Sequence, residues 1–466
     1  MMRSTKALAA GLLLFAFQAL SAGEPGVKLP TYKKTVLKNG MTVLFMEQHK
    51  VPLVDLHFTV RTGTAQDPAG KEGLAALTIS LLRKGTRTRS ADRISTELDS
   101  MGATYTAMAG LDASTCTAEF MKKDVADGLG LFADLILSPV FPEAEVQKLR
   151  AQRIDSVRAA KDSAQGVIRT YYNAFLFGDH PYGRPQNGDE HSLVRLTRAD
   201  VEAFHAAHFV PAHAVLAVVG DFQTAEMEKL VSDQFGPWRA QGAPDRTQLG
   251  PPQPQRGRKL LLVDKPDATQ TFFMVGNLGV ARNNPDRVGI QVINVLFGGR
   301  FTSMINTALR IKSGLTYGAQ SDFGMFKVPG PFAVSSFTAN ATTGKALDLT
   351  LATLKELQEK GISEADLASA KAYVKGTLPP KTLETGQQLA AVLADLQLYG
   401  LPDSEVNAFF AKVDALTMAD AKRIIQTYFP EKDLCFVLIG KASEIRPMVE
   451  KFAPELSLRN ISDPGF

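Results

Sequence analysis

Apolar residues recur along this chain at two periods, and the most apolar helical stretch is Gly73–Thr86, GLAALTISLLRKGT. Leu74, Leu77 and Leu81 fall at helical spacing, while Ala75, Ala76, Ile79 and Leu82 fill the remaining faces. No charge interrupts residues 74–82, so the pattern predicts a helix buried all round. Arg83 and Lys84 come in its last turn, where cations suit the helix dipole, and Gly85 ends it. Around it, residues 32–45 read as a hairpin broken at Lys38-Asn39-Gly40, with a type I′ turn expected. Strands are predicted at 54–60, 104–108, 114–121 and 215–219. Helical spacing returns after Ser90 (Ile94, Leu98, Met101), at Val125, Leu129, Phe132 and Ile136, and after Pro142 (Val146, Leu149, Ile154, Val157).

Residues 235–259, rich in Pro, Gly, Gln and Arg, fit no regular element and predict a domain linker. The segment starting at Leu196 aligns without gaps on the one starting at Leu416. Leu196/Leu416, Thr197/Thr417, Ala199/Ala419, Asp200/Asp420, Phe209/Phe429 and Gly220/Gly440 are identical. Each copy reads as a capped helix followed by a buried strand, at the end of each half, so an internal duplication is predicted.

Composition adds bounds. A chain of 466 residues is expected to hold two or more domains. Arg3 and Lys6, an apolar run over residues 7–17, and the small residues Ser21 and Ala22 predict a signal peptide over residues 1–22. Beyond it no uncharged run is long enough to predict a membrane span. The net charge of +4 becomes +2 without Arg3 and Lys6, which offers nothing to nucleic acid. Export and only two cysteines point to a bacterial periplasm. Cys116 and Cys435, one in each half, are expected as buried thiols.

The pattern from Gly73-Leu74-Ala75 to Lys84-Gly85-Thr86 resembles peptidase family M16, the insulinase, pitrilysin and mitochondrial-processing-peptidase-like proteins. Members with a zinc site carry H-x-x-E-H in the middle of this helix. Two His four residues apart bind zinc there, and the Glu activates its water. On this chain the resemblance puts those positions at Ala76, Ile79 and Ser80, and a further Glu ligand near Ser156. None of the four side chains can serve, so no cofactor is expected in this chain. The resemblance implies an α+β fold: two homologous domains, each an antiparallel sheet with packed helices, forming half of a clamshell. The expected boundaries are 30–237 and 259–451, with a linker over 238–258 that allows a hinge.

The segment GGRFTSMINTALRIKSGLTYG resembles the family's Arg/Tyr segment, in which the Arg precedes the Tyr by seven residues, as Arg310 precedes Tyr317 here. A helix over 302–312, stopped by Gly314, is predicted before a strand from Leu315 that carries Tyr317. The resemblance implies that the Tyr hydroxyl donates to the substrate carbonyl and the Arg holds the peptide backbone. It also implies that Gly298 and Gly299 mark a close approach of backbone to substrate. Taken singly, a last-turn Arg and a strand Tyr are ordinary structural residues.

The remaining candidates read as structural. His205, His208 and His213 could share a metal, but Pro211 ends their helix and no Glu stands beside them as base. His180, in the HPYGRP loop, reads as a fold-holding hydrogen-bond donor, and His49 and His57 have no partner pattern. Asp264 and Asp267 read as turn residues. Since the family includes pairs in which one chain holds zinc and the other the Arg/Tyr pair, the sequence is expected to be a non-zinc subunit. It would bind peptide substrates beside an H-x-x-E-H-bearing partner and be inactive alone. The alternatives are a non-catalytic peptide-binding, scaffolding or chaperone protein, and a self-sufficient enzyme using the three His.

Overall fold

The computed structural model describes residues 26–240 and 249–466. The expected leader and the middle of the linker lie outside these residues. Two six-stranded sheets organise the rest. The first contains β1 (Lys33–Val36), β2 (Thr42–Glu47), β3 (Leu53–Val60), β4 (Thr104–Ala109), β5 (Ser114–Met121) and β6 (Ala214–Gly220), in the order β1-β2-β6-β3-β5-β4. The second contains β7 (Lys259–Asp264), β8 (Gln270–Leu278), β9 (Ala319–Met325), β10 (Pro329–Ala339), β11 (Cys435–Gly440) and β12 (Glu455–Asn460), in the order β12-β7-β11-β8-β10-β9.

Five strands correspond one to one. β2 runs parallel to β6 as β7 does to β11, and the other central pairs are antiparallel in both sheets. The sheets are therefore mixed rather than wholly antiparallel. Only the outermost strand differs: β1 joins β2 antiparallel through the hairpin, whereas β12 joins β7 parallel.

The duplication extends to side chains. Thr197 and Thr417 each accept from the backbone N–H of an Asp three residues on, and that carboxylate accepts from the threonine N–H in return. At the far end of each repeat Gly220 lies opposite Glu47, and Gly440 opposite Asp264. Each carboxylate accepts the first N–H of the following helix, from Thr224 at 2.7 Å and from Ala442 at 2.8 Å. Asp264, expected as a turn residue, is thus a helix cap.

The central strands are apolar on both faces because both are covered. In β6, Leu216 and Val218 enter the core beneath the motif helix, while Val215, Ala217 and Val219 face the opposite side. What covers that side comes from the other half of the chain. Helix Gly386–Tyr399 lays Leu389, Ala390, Leu393 and Leu396 on the first sheet. Reciprocally, helix Ala164–Phe177 lays Val167, Ile168, Tyr171, Tyr172 and Leu176 on β7, β8 and β11. Gly276 has no room for a side chain: a Cβ there would lie 1.9 Å from the Phe332 carbonyl and 2.7 Å from the Tyr172 hydroxyl, which donates to that carbonyl at 3.0 Å. At roughly 1.5–3 kcal/mol per buried side chain, separating the halves would cost on the order of 10 kcal/mol. The expected hinge is therefore not supported: the exchanged helices hold the two halves together.

Two local expectations change. In the first hairpin only Gly40 has a positive φ (+93°), so the turn is not type I′, which needs two such residues. The Gly40 N–H donates to Leu37 O, and Leu37 N–H to Met41 O, across a three-residue loop. The strand expected from Leu315 begins at Ala319, so Tyr317 lies before it rather than on it. Thr316 Oγ1 bonds both the N–H and the carbonyl of Gly318, which folds Thr316–Gly318 into a turn. The helical stretch Arg287–Lys312 is long and apolar enough by composition to cross a membrane, but 61% of its most apolar window is buried within the protein.

Candidate functional site

The motif helix runs over Leu74–Leu81, continuing as a short tight turn over Leu82–Lys84. Asp67 fixes its start, accepting from the N–H groups of Gly73 and Ala75, both at 2.8 Å. Gly73 has φ +90°, and a Cβ there would lie 2.8 Å from Gly188 N, so this end of the helix closes onto the loop after residue 184. Ile79 points into the first core and is almost wholly buried, whereas Ala76 and Ser80 border the neighbouring helix Glu143–Ala160.

A guanidinium stands between those two helices. Arg153 Nη2 donates to Ala76 O at 2.8 Å and to Ser80 Oγ at 2.7 Å, and Nη1 donates to Asn187 Oδ1 at 3.4 Å. Ser80 Oγ in turn donates to Ala76 O. All three acceptors are neutral, and burial pushes the Arg153 guanidinium below its ordinary pKa. Ser156 lies one turn further along; it is exposed, and its hydroxyl donates to Gln152 O. A methyl, two hydroxyls and an isoleucine with a cation among them do not fit zinc, which takes nitrogen, thiolate or carboxylate ligands. Arg153 escaped the sequence reading. The signal was there: it falls on the inward stripe marked by Val146, Leu149 and Val157, where a charge needs a reason.

In the second half, helix Arg287–Asn294 continues through wide helical turns over Val295–Gly299, and another such stretch over Thr307–Lys312 carries Arg310. Wide turns of this kind are frequent at functional sites. The Arg310 guanidinium lies 4.8 Å from the Phe301 ring centroid, and no carboxylate pairs with it among the described residues. Tyr317 is 80% exposed and Phe301 61% exposed. Gly314, at φ +63°, turns the chain between Arg310 and Tyr317. Gly298, Gly299 and Arg310 line one cavity of about 630 Å³; Gly318 lines it too, whereas Tyr317 does not. A Cβ on Gly298 would lie 2.2 Å from Ser321 Oγ, so this glycine serves an approach to β9 of the chain itself. Gly299 is the exposed one of the pair.

Helix Ala164–Phe177 runs between this cavity and a second one, of about 690 Å³, lined by Arg153 and Ser156. Arg169 lines both and pairs with Asp322 on β9 at 3.0 Å. Arg153 and Arg310 thus line cavities on either side of one helix, with Arg169 common to both.

The histidines do not gather. His205 Nε2 bonds Ile136 O at 2.9 Å between the rings of Phe141 and Phe209, and burial pushes its pKa down to about 4. His208 Nδ1 meets Thr62 Oγ1. His180 takes the structural role expected of it, its Nδ1 accepting from Tyr182 N–H and its Nε2 bonded to Gly250 O. His49 lies between Glu47 and Asp221, and His57 is half-buried in β3. Among the described residues no three His, Cys, Asp or Glu side chains converge. Cys116 and Cys435 are buried and unpaired in different cores, and burial pushes both thiols up to about 12.

The family model described as "Insulinase (Peptidase family M16)" matches residues 42–190, and the one described as "Peptidase M16 inactive domain" matches residues 195–374. An uncharacterised zinc protease of Mycobacterium leprae is 26% identical over 347 residues, 74% of this chain and 77% of its own length. One from Streptomyces coelicolor is 23% identical over 412 residues, 87% of this chain and 89% of its own. A solved "peptidase M16 inactive domain" from Pseudomonas fluorescens superposes with a TM-score of 0.83 at 24% identity, over 88% of this chain and all but 2% of its own, since 98% is covered. The periplasmic protease PqqL of Escherichia coli gives 0.73 at 16% identity, over 91% of this chain and 50% of that protein.

Proposed function

The chain belongs to peptidase family M16, and on that premise we propose that it is the non-zinc, substrate-binding subunit of a periplasmic heterodimeric peptidase. The observation that carries this reading is the contrast between its two ends. At one end Arg153 bridges Ala76 and Ser80, whereas at the other Tyr317 is exposed and the half-buried Arg310 has no carboxylate partner among the described residues. Tyr317 at 80% exposed and Phe301 at 61% are poor design for a free surface and good design for a face that closes on a second chain.

In the closed pair, a partner bearing H-x-x-E-H would hold the zinc, whose chemistry when bound would be to activate water against the peptide carbonyl. This chain holds the extended peptide by backbone contacts from Arg310, and the Tyr317 O–H donates to the carbonyl oxygen as negative charge builds on it. A donor so placed is worth roughly 3–4 kcal/mol of barrier. The leader-like residues 1–22 and the fold shared with a periplasmic protease support export to the periplasm.

The test is hydrolysis of a quenched peptide by this chain, by a zinc-bearing M16 chain encoded beside it, and by their mixture. Activity that needs both chains and falls with Arg310→Ala or Tyr317→Phe supports a shared site. A mixture no faster than the zinc-bearing chain, or indifferent to both substitutions, would leave a binding or scaffolding protein.

A further inference from the structure

The turn that carries Tyr317 is held more firmly than the exposure of its side chain suggests. At its start the Leu315 N–H donates to Leu309 O at 2.9 Å, and Thr338 Oγ1 donates to Leu315 O at 2.8 Å. At its end the Gly318 N–H donates to Thr316 Oγ1 at 3.1 Å, and Ser336 Oγ donates to Gly318 O at 2.9 Å. Thr316, Ser336 and Thr338 are all buried. Surface turns are ordinarily among the most mobile parts of a chain. Here buried hydroxyls clamp both ends of the turn, while the Tyr317 side chain stands in solvent.

One side chain joins this turn to the support of Arg310. Asn306 is 4% exposed, and its Oδ1 accepts from the Ala319 N–H at 3.1 Å, one residue beyond Gly318. Its Nδ2 donates to the Phe301 carbonyl at 2.6 Å. Phe301 is the residue whose ring lies 4.8 Å from the Arg310 guanidinium. The amide thus bonds the start of β9, just after Tyr317, with one end and the loop that supports Arg310 with the other. Asparagine suits the task because it offers a donor and an acceptor on a short side chain. A buried amide that served the fold alone could bond any two segments; this one bonds the two that present Arg310 and Tyr317.

Resting on the shared-site reading above, we propose that Asn306 is the positioning residue of the Arg310/Tyr317 pair. It fixes the Phe301 loop against the Tyr317 turn, so that guanidinium and hydroxyl meet one peptide together. Its influence on kcat runs through Tyr317 and its influence on KM through Arg310. A catalytic donor displaced by about 1 Å loses much of its effect on the barrier.

The experiment is a double-substitution cycle in the mixture of this chain with the zinc-bearing chain encoded beside it, reading kcat and KM on a quenched peptide. Asn306→Leu, of similar size and without the amide, should lower kcat roughly tenfold and raise KM as well. In the Tyr317→Phe chain the same substitution should change kcat by less than about twofold, and in the Arg310→Ala chain it should change KM by less than about twofold. A substitution that merely loosened the fold would cost the same factor in every background, and that result would overturn the proposal. Indifference of the mixture to both Tyr317→Phe and Arg310→Ala would instead overturn the shared-site reading, and the role of Asn306 with it. Because Asn306→Leu could fail to fold, amide hydrogen exchange of the unsubstituted chain alone gives a second arm. The Gly318 and Ala319 N–H groups should exchange at least roughly 100-fold more slowly than in an unstructured peptide, despite the exposed side chain beside them. Exchange near the unstructured rate would mean that the turn is not held, and would overturn the proposal without reference to a partner.

Discussion

Arg153 donates from one nitrogen to the Ala76 carbonyl at 2.8 Å and to the Ser80 hydroxyl at 2.7 Å, bridging two residues of the helix that bears the metal in zinc-bearing M16 chains. On the proposed reading of Ala76 and Ser80 as ligand positions, a different cation stands where zinc would, and more than ligand loss separates the two. Restoring ligands alone should therefore fail. With Ala76→His and Ser80→His in place, the guanidinium still stands among the imidazoles, and like charge opposes the metal. Adding Arg153→Gln to that pair should raise zinc affinity by roughly tenfold or more, measured by competition with a chromogenic chelator. Equal affinity with and without Arg153 would show that the guanidinium does not hold the site closed.

Tyr317, with Arg310, makes a contrasting prediction, because its side chain lies almost wholly in solvent. Tyr317→Phe removes one hydroxyl from a side chain that is 80% exposed, so stability should stay within about 0.5 kcal/mol in urea melts of the isolated chain. In the mixture with the zinc-bearing subunit, kcat should fall on the order of 100-fold with little change in KM, the signature of a contact made in the transition state. Arg310→Ala should raise KM as well, since backbone binding precedes reaction. A Tyr317→Phe effect confined to KM would remove the hydroxyl from the chemical step.

The two central strand residues Asp55 and His57 bias stability in opposite directions with pH. Burial, with Glu119 alongside, pushes the Asp55 carboxyl up to about 7, and burial pushes His57 down to about 4. The folded chain therefore keeps a proton on Asp55 that the unfolded chain releases near pH 4, so this contribution is present at low pH and lost as pH rises towards 7. For His57 and for His205, also pushed down to about 4, the unfolded chain takes up protons near pH 6.5 that the folded chain refuses, so stability falls as pH drops from 6.5 towards 4. Asp55→Asn should gain about 2 kcal/mol at pH 8 once solvent screening is allowed for, and much less at pH 4. Denaturant melts at the two pH values decide it; an equal gain at both would mean Asp55 is already neutral, or already compensated, across the range.

What the sequence made legible was whatever local pattern controls. The uncharged run 74–82 is a buried helix, and the aligned repeats are indeed equivalent, down to the Thr197/Asp200 and Thr417/Asp420 caps. Ala76 and Ser80, one turn apart on that helix, both meet Arg153 of the neighbouring helix. What stayed hidden depends on partners distant in sequence. Arg153 meets Ala76 across 77 residues, and no local periodicity reports that. Leu389 and Leu393 look like residues for the core of their own half, yet they cover the first sheet. Tyr317 looked like a strand residue because Leu315-Thr316-Tyr317 has β-favouring side chains; the Thr316 turn to Gly318 prevailed.

The exchanged helices carry the last prediction. Asp112, on the loop between β4 and β5, receives hydrogen bonds from three places: Tyr182, Tyr399 at 3.0 Å and the backbone N–H of Lys327 at 2.7 Å. Two of these donors belong to the second half, so one carboxylate ties both halves together at the edge of the helix exchange. Since neither sheet is covered without a helix from the other half, the two should unfold together. Trp238, the single tryptophan, packs against Phe58 in the first core at 6.2 Å and reports on that half, while far-ultraviolet circular dichroism reports on both. The two signals should trace one urea transition. Asp112→Ala should shift both by the same amount, a loss of about 2–4 kcal/mol from leaving three donors without an acceptor. A tryptophan transition that separates from the dichroism transition in the unsubstituted chain would mean that the halves fold independently and that the exchanged helices only rest on their neighbours.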